Sequence, residues 1–120
     1  MKTIIKNDVK LTIYDKPEYR EDEIKHKNIY FSNDVKIIGN LNVDYYYAEK
    51  SIEITGKDIT TFWQEVGGSQ EVGEWQKVGK WQKVGEWQEV GEWQKVGKWQ
   101  KVGEWQEVGE WQEIGEWQKV

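Results

Sequence analysis

The feature that most limits what this chain can fold into is a six-residue unit, W-Q-x-V-G-x, that starts at Trp63 and continues to Val120. In order the units read WQEVGG, SQEVGE, WQKVGK, WQKVGE, WQEVGE, WQKVGK, WQKVGE, WQEVGE, WQEIGE and WQKV. Glycine at every sixth position excludes a stable helix, because each one costs about 1 kcal/mol relative to alanine. Tryptophan and valine favour a pleated strand instead. The natural parse is a four-residue strand, W-Q-x-V, followed by a Gly-x turn.

Strand alternation then assigns the faces. In an extended W-Q-x-V segment the Trp shares its side with the third residue, and Gln shares the other side with Val. The third residue is always Lys or Glu, and a row of such charges is not buried unpaired. The Trp side therefore faces water. Val78, Val84, Val90, Val96, Val102, Val108 and Ile114 are expected to form an inner ladder, with Gln76, Gln82, Gln88, Gln94, Gln100, Gln106 and Gln112 beside it. Stacked glutamine amides can satisfy one another by hydrogen bonding from coil to coil.

Three arrangements fit such a hexad: a triangular solenoid with three hexads per coil, a flattened one with two, or an antiparallel meander or barrel with type II′ turns at the Gly-x pairs. Residues Trp75 to Glu92 are identical to Trp93 to Glu110, a copy three hexads on. Charge pairing points the other way. At the third and sixth hexad positions an offset of three hexads sets like charge over like in nine of twelve pairs, whereas an offset of two gives ten opposite pairs against four. Exposed pairs contribute only about 0.2 to 0.5 kcal/mol each, too little to decide the topology.

The rest of the chain also reads as strand. Residues 34–62 alternate apolar and polar side chains in short bursts at Val35-Lys36-Ile37, Leu41-Asn42-Val43 and Ile52-Glu53-Ile54, punctuated by Gly or Asn. Ile37-Ile38-Gly39 and Ile54-Thr55-Gly56 recur 17 residues apart, the span of one solenoid coil. Residues 1–33 hold strand-like runs at Thr3 to Ile5, Val9 to Tyr14 and Asn28 to Phe31. Between the last two, Asp15 to Lys27 is either a short capped helix or a solvated loop. The organisation expected is one domain: a β-rich N-terminal cap over 1–33, degenerate solenoid coils over 34–62, and hexapeptide repeats over 63–120.

The Val-Gly pairs Val78-Gly79 and Val84-Gly85, with Gly39-Asn40-Leu41-Asn42-Val43 upstream, resemble the hexapeptide-repeat and bactofilin-type β-solenoids over about residues 35–120. In those families an aliphatic residue followed by a small one recurs every six positions. The resemblance implies a triangular parallel β-helix and hence three hexads per coil. The chain departs from the pattern where the inward site two residues before the aliphatic, usually small, is Gln. Members of these families include acyltransferases and self-assembling scaffolds, so the resemblance concerns architecture and leaves activity open.

Few residues offer catalytic chemistry. The chain has no cysteine, which removes disulfides, thiolate chemistry and Cys-type zinc sites. His26 is the one histidine, and Glu23-Ile24-Lys25-His26 matches a two-ligand metal spacing without a second cluster to complete the shell. Ser32, Ser51 and Ser69 lack a nucleophile elbow and have only that histidine as a potential base. In hexapeptide acyltransferases a histidine acts as base, and here none falls in the solenoid-like region. Gly39 and Gly56 stand outside any phosphate-loop context. The expectation is a non-enzymatic protein without a cofactor or metal.

The aromatic inventory is unusual: nine Trp and six Tyr against two Phe and one Met. The Trp array, Trp75, Trp81, Trp87, Trp93, Trp99, Trp105, Trp111 and Trp117, is the candidate binding feature. It could stack on a glycan or a protein partner, an immunity-type partner-blocking protein being one form of the latter. Alternatively the indoles pack only on each other and on lysine stems. A net charge of -5 argues against nucleic acid, and a Lys or Glu two residues from each of these indoles argues against membrane insertion. With no secretory or transmembrane run, the chain is expected to be soluble and cytoplasmic. The hexads run unchanged through Trp117-Gln118-Lys119-Val120, whereas repeat proteins finish in a polar cap. The function expected is therefore self-assembly through the coil around Trp111 to Val120, as a dimer if closed or a filament if open; the alternative is the glycan- or protein-binding module.

Overall fold

A computed structural model describes residues 2–120. The chain winds into a β-solenoid of about six turns, with principal extents of 37 × 28 × 22 Å. Three strands make one coil. In the repeat region one face is built from Gln76–Val78, Trp93–Val96 and Trp111–Ile114; the second from Trp81–Val84, Trp99–Val102 and Trp117–Lys119; the third from Gln70–Val72, Trp87–Val90 and Trp105–Val108. All pair in parallel, and each residue lies against the one three hexads on, as in Gln76↔Gln94, Trp81↔Trp99 and Gln88↔Gln106. The triangular arrangement holds, and the two-hexad coil and the antiparallel meander or barrel do not.

Glycine serves a purpose different from the one a tight turn would give it. A type II′ turn needs positive φ at its first central residue, yet among the described residues only Gly39 of the glycines has one. The corner glycines are required by close approach of successive coils. A Cβ on Gly79 would overlap the carbonyl oxygen of Thr61, and one on Gly97 that of Gly79. Corner amides continue the ladder: Gly97 N–H donates to the Val78 carbonyl at 2.9 Å and Lys98 N–H to the Lys80 carbonyl at 2.7 Å.

The stacking extends well upstream of the hexads. Strands Leu41–Ala48 and Asp58–Val66 each turn a corner without a break and serve two faces. Val35–Ile38 and Ile52–Ile54 lie below Gln70–Val72 on the third face. Here most pairs are 17 apart, as in Ile29↔Tyr46, Val35↔Ile52 and Leu41↔Asp58, while Tyr19↔Ile37 is 18 apart. Between Leu41–Ala48 and Asp58–Val66 the offset changes from 17 to 18 by a bulge after Val43, so that Val43 pairs with Thr60 but Tyr45 pairs with Trp63. The expected runs at the N-terminus are strands Thr3–Lys6, Val9–Tyr14 and Asn28–Phe31. The first two form an antiparallel hairpin, whose two-residue turn places Asn7 and Asp8 at φ 50° and 66°, the positive values that Asn and Asp tolerate. Between Asp15 and Lys27 the chain forms a strand, Glu18–Arg20, and a single 3-10 turn, Glu21–Glu23. Tyr19 packs inward there at 6 % exposure and the strand pairs with Val35–Ile38, so tertiary pairing outweighs the local charge pattern.

Inward positions follow the expected alternation. Val66, Val72, Val78, Val84, Val90, Val96 and Val102 are buried, as are Gln64, Gln70, Gln76, Gln82, Gln88, Gln94 and Gln100. Below them the core is bulky and apolar, with Leu11, Ile29, Phe31, Ile37, Leu41 and Ile54 closed to solvent.

Candidate functional site

The indoles stand outside, in three columns that run along the prism. Trp75, Trp93 and Trp111 form one; Trp81, Trp99 and Trp117 continue a column based on Trp63; Trp87 and Trp105 form the third. Successive rings are parallel within 1° to 7°, with centroids 4.5 to 5.2 Å apart. The spacing follows from the roughly 4.7 to 4.9 Å separation of neighbouring strands, and offset stacking is the favoured aromatic geometry. A stacked indole offers solvent its edge, since its faces are covered by the neighbours. The exceptions are the column ends.

At the lower ends two columns are closed. Trp63 meets Tyr45 edge-on at 5.3 Å, and the Lys57 ammonium sits 5.4 Å from the Trp75 ring centroid. The third column changes composition: one coil below Trp87 its place is taken by Ser69, with Ser51 and Asp34 beneath it, and Pro17 lines the same side. The result is a trough of about 530 Å³, bounded by Trp87 at one end and walled by Lys36, Glu53 and Glu71. Ser69 is 8 % exposed, and its backbone N–H donates to the Ser51 hydroxyl at 3.0 Å. Burial and the neighbouring Glu53 and Glu89 raise the Glu71 carboxyl above its ordinary range, against the pull of Lys36.

Inside the prism the glutamines do more than stack in pairs. Their amide nitrogens donate toward the N-terminal end, to carbonyl oxygens two and three hexads earlier and, in several, also one hexad earlier. Gln94 Nε2, for instance, reaches Gln76 Oε1 at 2.5 Å, Gln82 Oε1 at 3.1 Å and Gln88 Oε1 at 2.9 Å. The three ladders thus merge into one central shaft with a single polarity. At its lower end Asp58 occupies the position of a ladder glutamine, paired with Gln76. Its Oδ2 accepts from Gln76 at 2.8 Å, Gln64 at 2.9 Å, Gln70 at 3.4 Å and the Tyr46 hydroxyl at 3.2 Å. Asp58 is wholly buried, which pushes its pKa up to about 6, while the hydrogen bonds from Gln76, Gln64, Tyr46 and Thr60 hold it down. Converging donors and a carboxylate make this a terminal cap for the shaft, comparable in logic to an acidic residue at a helix N-terminus. No buried side-chain polar atom among the described residues lacks a partner.

The other sequence candidates are engaged locally. His26 Nδ1 lies 2.7 Å from the Tyr14 hydroxyl, and Glu23 accepts the Arg20 N–H at 2.8 Å. Ser51 and Ser69 lie in the trough, apart from His26. Nothing in the local sequence marks Asp58 and Tyr46 for the role they take. The one signal is positional: counting back by one coil from Gln76 and from Gln64 lands on Asp58 and Tyr46. No protein-family model, curated protein or solved structure matches this chain. No helix among the described residues is long and apolar enough to cross a membrane.

Proposed function

We propose that the protein is a non-enzymatic structural module that associates with copies of itself head to tail along the solenoid axis. The observation that carries this reading is where the exposed large apolar side chains lie. Ile4 and Ile5, at 37 % and 69 % exposure, belong to the outer strand of the N-terminal hairpin; Trp105, Trp111, Trp117 and Val120, at 44 % to 54 %, belong to the last coil. Only Ile38, among the described residues, is found elsewhere. Among the described residues the strands Trp105–Val108, Trp111–Ile114 and Trp117–Lys119 each keep one edge without a neighbour, a template for further pairing.

Polarity of the amide shaft favours a head-to-tail contact over a symmetric one. The bonds all run toward Asp58, so the last coil presents carbonyl oxygens, and two copies meeting there would set acceptor against acceptor. A contact between unlike ends does not close on itself and builds a filament. The hexads support a place beside the hexapeptide-repeat and bactofilin-type solenoids, whose members include self-assembling scaffolds.

A second reading, a ring-binding module, is favoured by the trough below Trp87. Indole faces are covered along the columns, so a glycan ring would stack there and not along the array. Sedimentation across a micromolar concentration series tests both. Rising mass is expected for the wild type, with Ile5→Lys and a proline-bearing charged tail after Val120 each giving monomers and their mixture giving dimers. A monomer throughout, whose indole emission shifts with an added glycan and no longer does so after Ser69→Trp, would replace the first reading with the second.

A further inference from the structure

The charges of the repeat region are sorted around the prism. From Lys77 a charged residue comes every third position, and the signs run in blocks: Lys77, Lys80 and Lys83, then Glu86, Glu89 and Glu92, with both blocks repeated three hexads later. One coil is also three hexads long. Every lysine block therefore covers two faces and the ridge between them, and every glutamate block covers the third face with its two flanking corners. A net charge of -5 conceals two coils, Lys77 to Glu110, that are basic on one side and acidic on the other, bounded on the basic side by Glu65 below Lys83 and by Glu113 and Glu116 above Lys95 and Lys98.

This arrangement is unfavourable within the single chain. Lys77 stands beside Lys95, Lys83 beside Lys101, Glu71 beside Glu89 and Glu89 beside Glu107, and like charges directly opposite on neighbouring strands repel. Among the described residues the one ion pair is Lys95 with Glu113, at 4.0 Å. The Glu71 carboxyl is raised first by burial and then by the neighbouring Glu53 and Glu89, which lie on the same acidic side.

We propose that the acidic side of one copy docks on the basic ridge of another, side by side with axes parallel. Both halves of the complement are on the same chain and have the same rise of about 4.8 Å per row, the strand spacing, so a row of lysines meets a row of glutamates in step over successive coils. Duplex DNA, with a phosphate about every 3.4 Å along each strand, falls out of step with those rows and meets a chain of net negative charge. Because the two surfaces are different, the contact repeats without closing and sets prisms in a row. It uses the sides of the prism, not its ends, and stands or falls separately from the head-to-tail reading.

The test uses the full chain carrying the charged tail after Val120, so that axial growth is blocked, and follows mass by sedimentation at about 10 mM and about 0.5 M salt, where the Debye length falls from about 30 Å to a few ångström. Association at low salt that disappears at high salt is expected. Lys80→Glu with Lys83→Glu, and separately Glu86→Lys with Glu89→Lys, should each weaken it about tenfold or more, and an equimolar mixture of the two variants should restore it. The melting temperature of the second variant should not fall, since Glu89 leaves a column of like charge, so lost association would not reflect lost folding. Association that neither reversal weakens overturns the proposal. So does a chain that remains monomeric at low salt, and binding of a duplex oligonucleotide by that monomer would assign the ridge to nucleic acid instead.

Discussion

Below Asp58 the centre of the prism holds Leu41, Ile29, Ile37, Ile54 and Phe31; above it the same inward positions hold a column of glutamines and a ladder of valines. The lower coils pack varied apolar shapes, and their offset is 17 in some pairs and 18 in others, with a bulge after Val43. The upper coils have no such latitude. From Gln82 on, each amide meets those two and three hexads before it, as Gln100 meets Gln88 and Gln82, and some also meet the one just before, as Gln82 meets Gln76, so the spacing, the residue type and the direction of every rung are fixed together. Apolar burial is non-directional and tolerates variety, whereas hydrogen bonds require geometry. Near-identity of the hexads follows from that requirement, and Asp58 with Tyr46 marks where one kind of core hands over to the other.

The severest way to break the contrast is at a corner. Gly97→Ala puts a Cβ into the carbonyl oxygen of Gly79, which is backbone and cannot swing aside; a loss of about 4 kcal/mol is expected in denaturant unfolding. Gly39→Ala, in the lower coils, strains a φ of 108° but meets the flexible side chain of Glu21, so it should cost about 1 to 2 kcal/mol. Equal losses would show that close approach is not what the repeat glycines provide.

Gln94→Leu comes next in size. It retains volume but deprives Gln76, Gln82 and Gln88 of a donor and Gln106 and Gln112 of an acceptor. Each of those amides keeps other partners, so about 2 to 4 kcal/mol is expected from weakened satisfaction, against about 1 kcal/mol for Ile29→Val in the apolar core. A Gln94→Leu protein that melts higher than wild type would mean that the shaft supplies register and no stability.

The smallest effect sharpens the boundary between the two cores. With the Asp58 pKa raised from 3.8 to about 6 in the folded chain, the native state holds the proton more tightly than the unfolded one. The stability from that proton is fully present below pH 3.8 and is lost as pH rises through 6, a difference of about 2 to 3 kcal/mol. Unfolding free energies of wild type and Asp58→Asn, compared between pH 4 and 7, should differ by a term with this slope. Parallel curves would place the carboxylate outside the buried cap.

The sequence by itself determined which side of each strand is inside. Alternation is a property of the extended backbone over two residues, so the third-position charges alone force Gln and Val inward and Trp outward, as observed for Gln94, Val96, Lys95 and Trp93. The strand character of the hexads and the exclusion of helix were legible for the same local reason. What only the tertiary structure decided is everything that depends on the length of a coil. Exposed charge pairs favoured a two-hexad coil by a margin too small to compete with a closed triangular core and a bonded amide shaft. Until that closure fixed the coil at three hexads, nothing local could place Asp58 under the shaft, set Ser69 in place of an indole beneath Trp87, or gather the lysine and glutamate blocks onto opposite sides. These juxtapositions join residues a full coil apart in sequence, and it is the winding of the prism that brings them to one place.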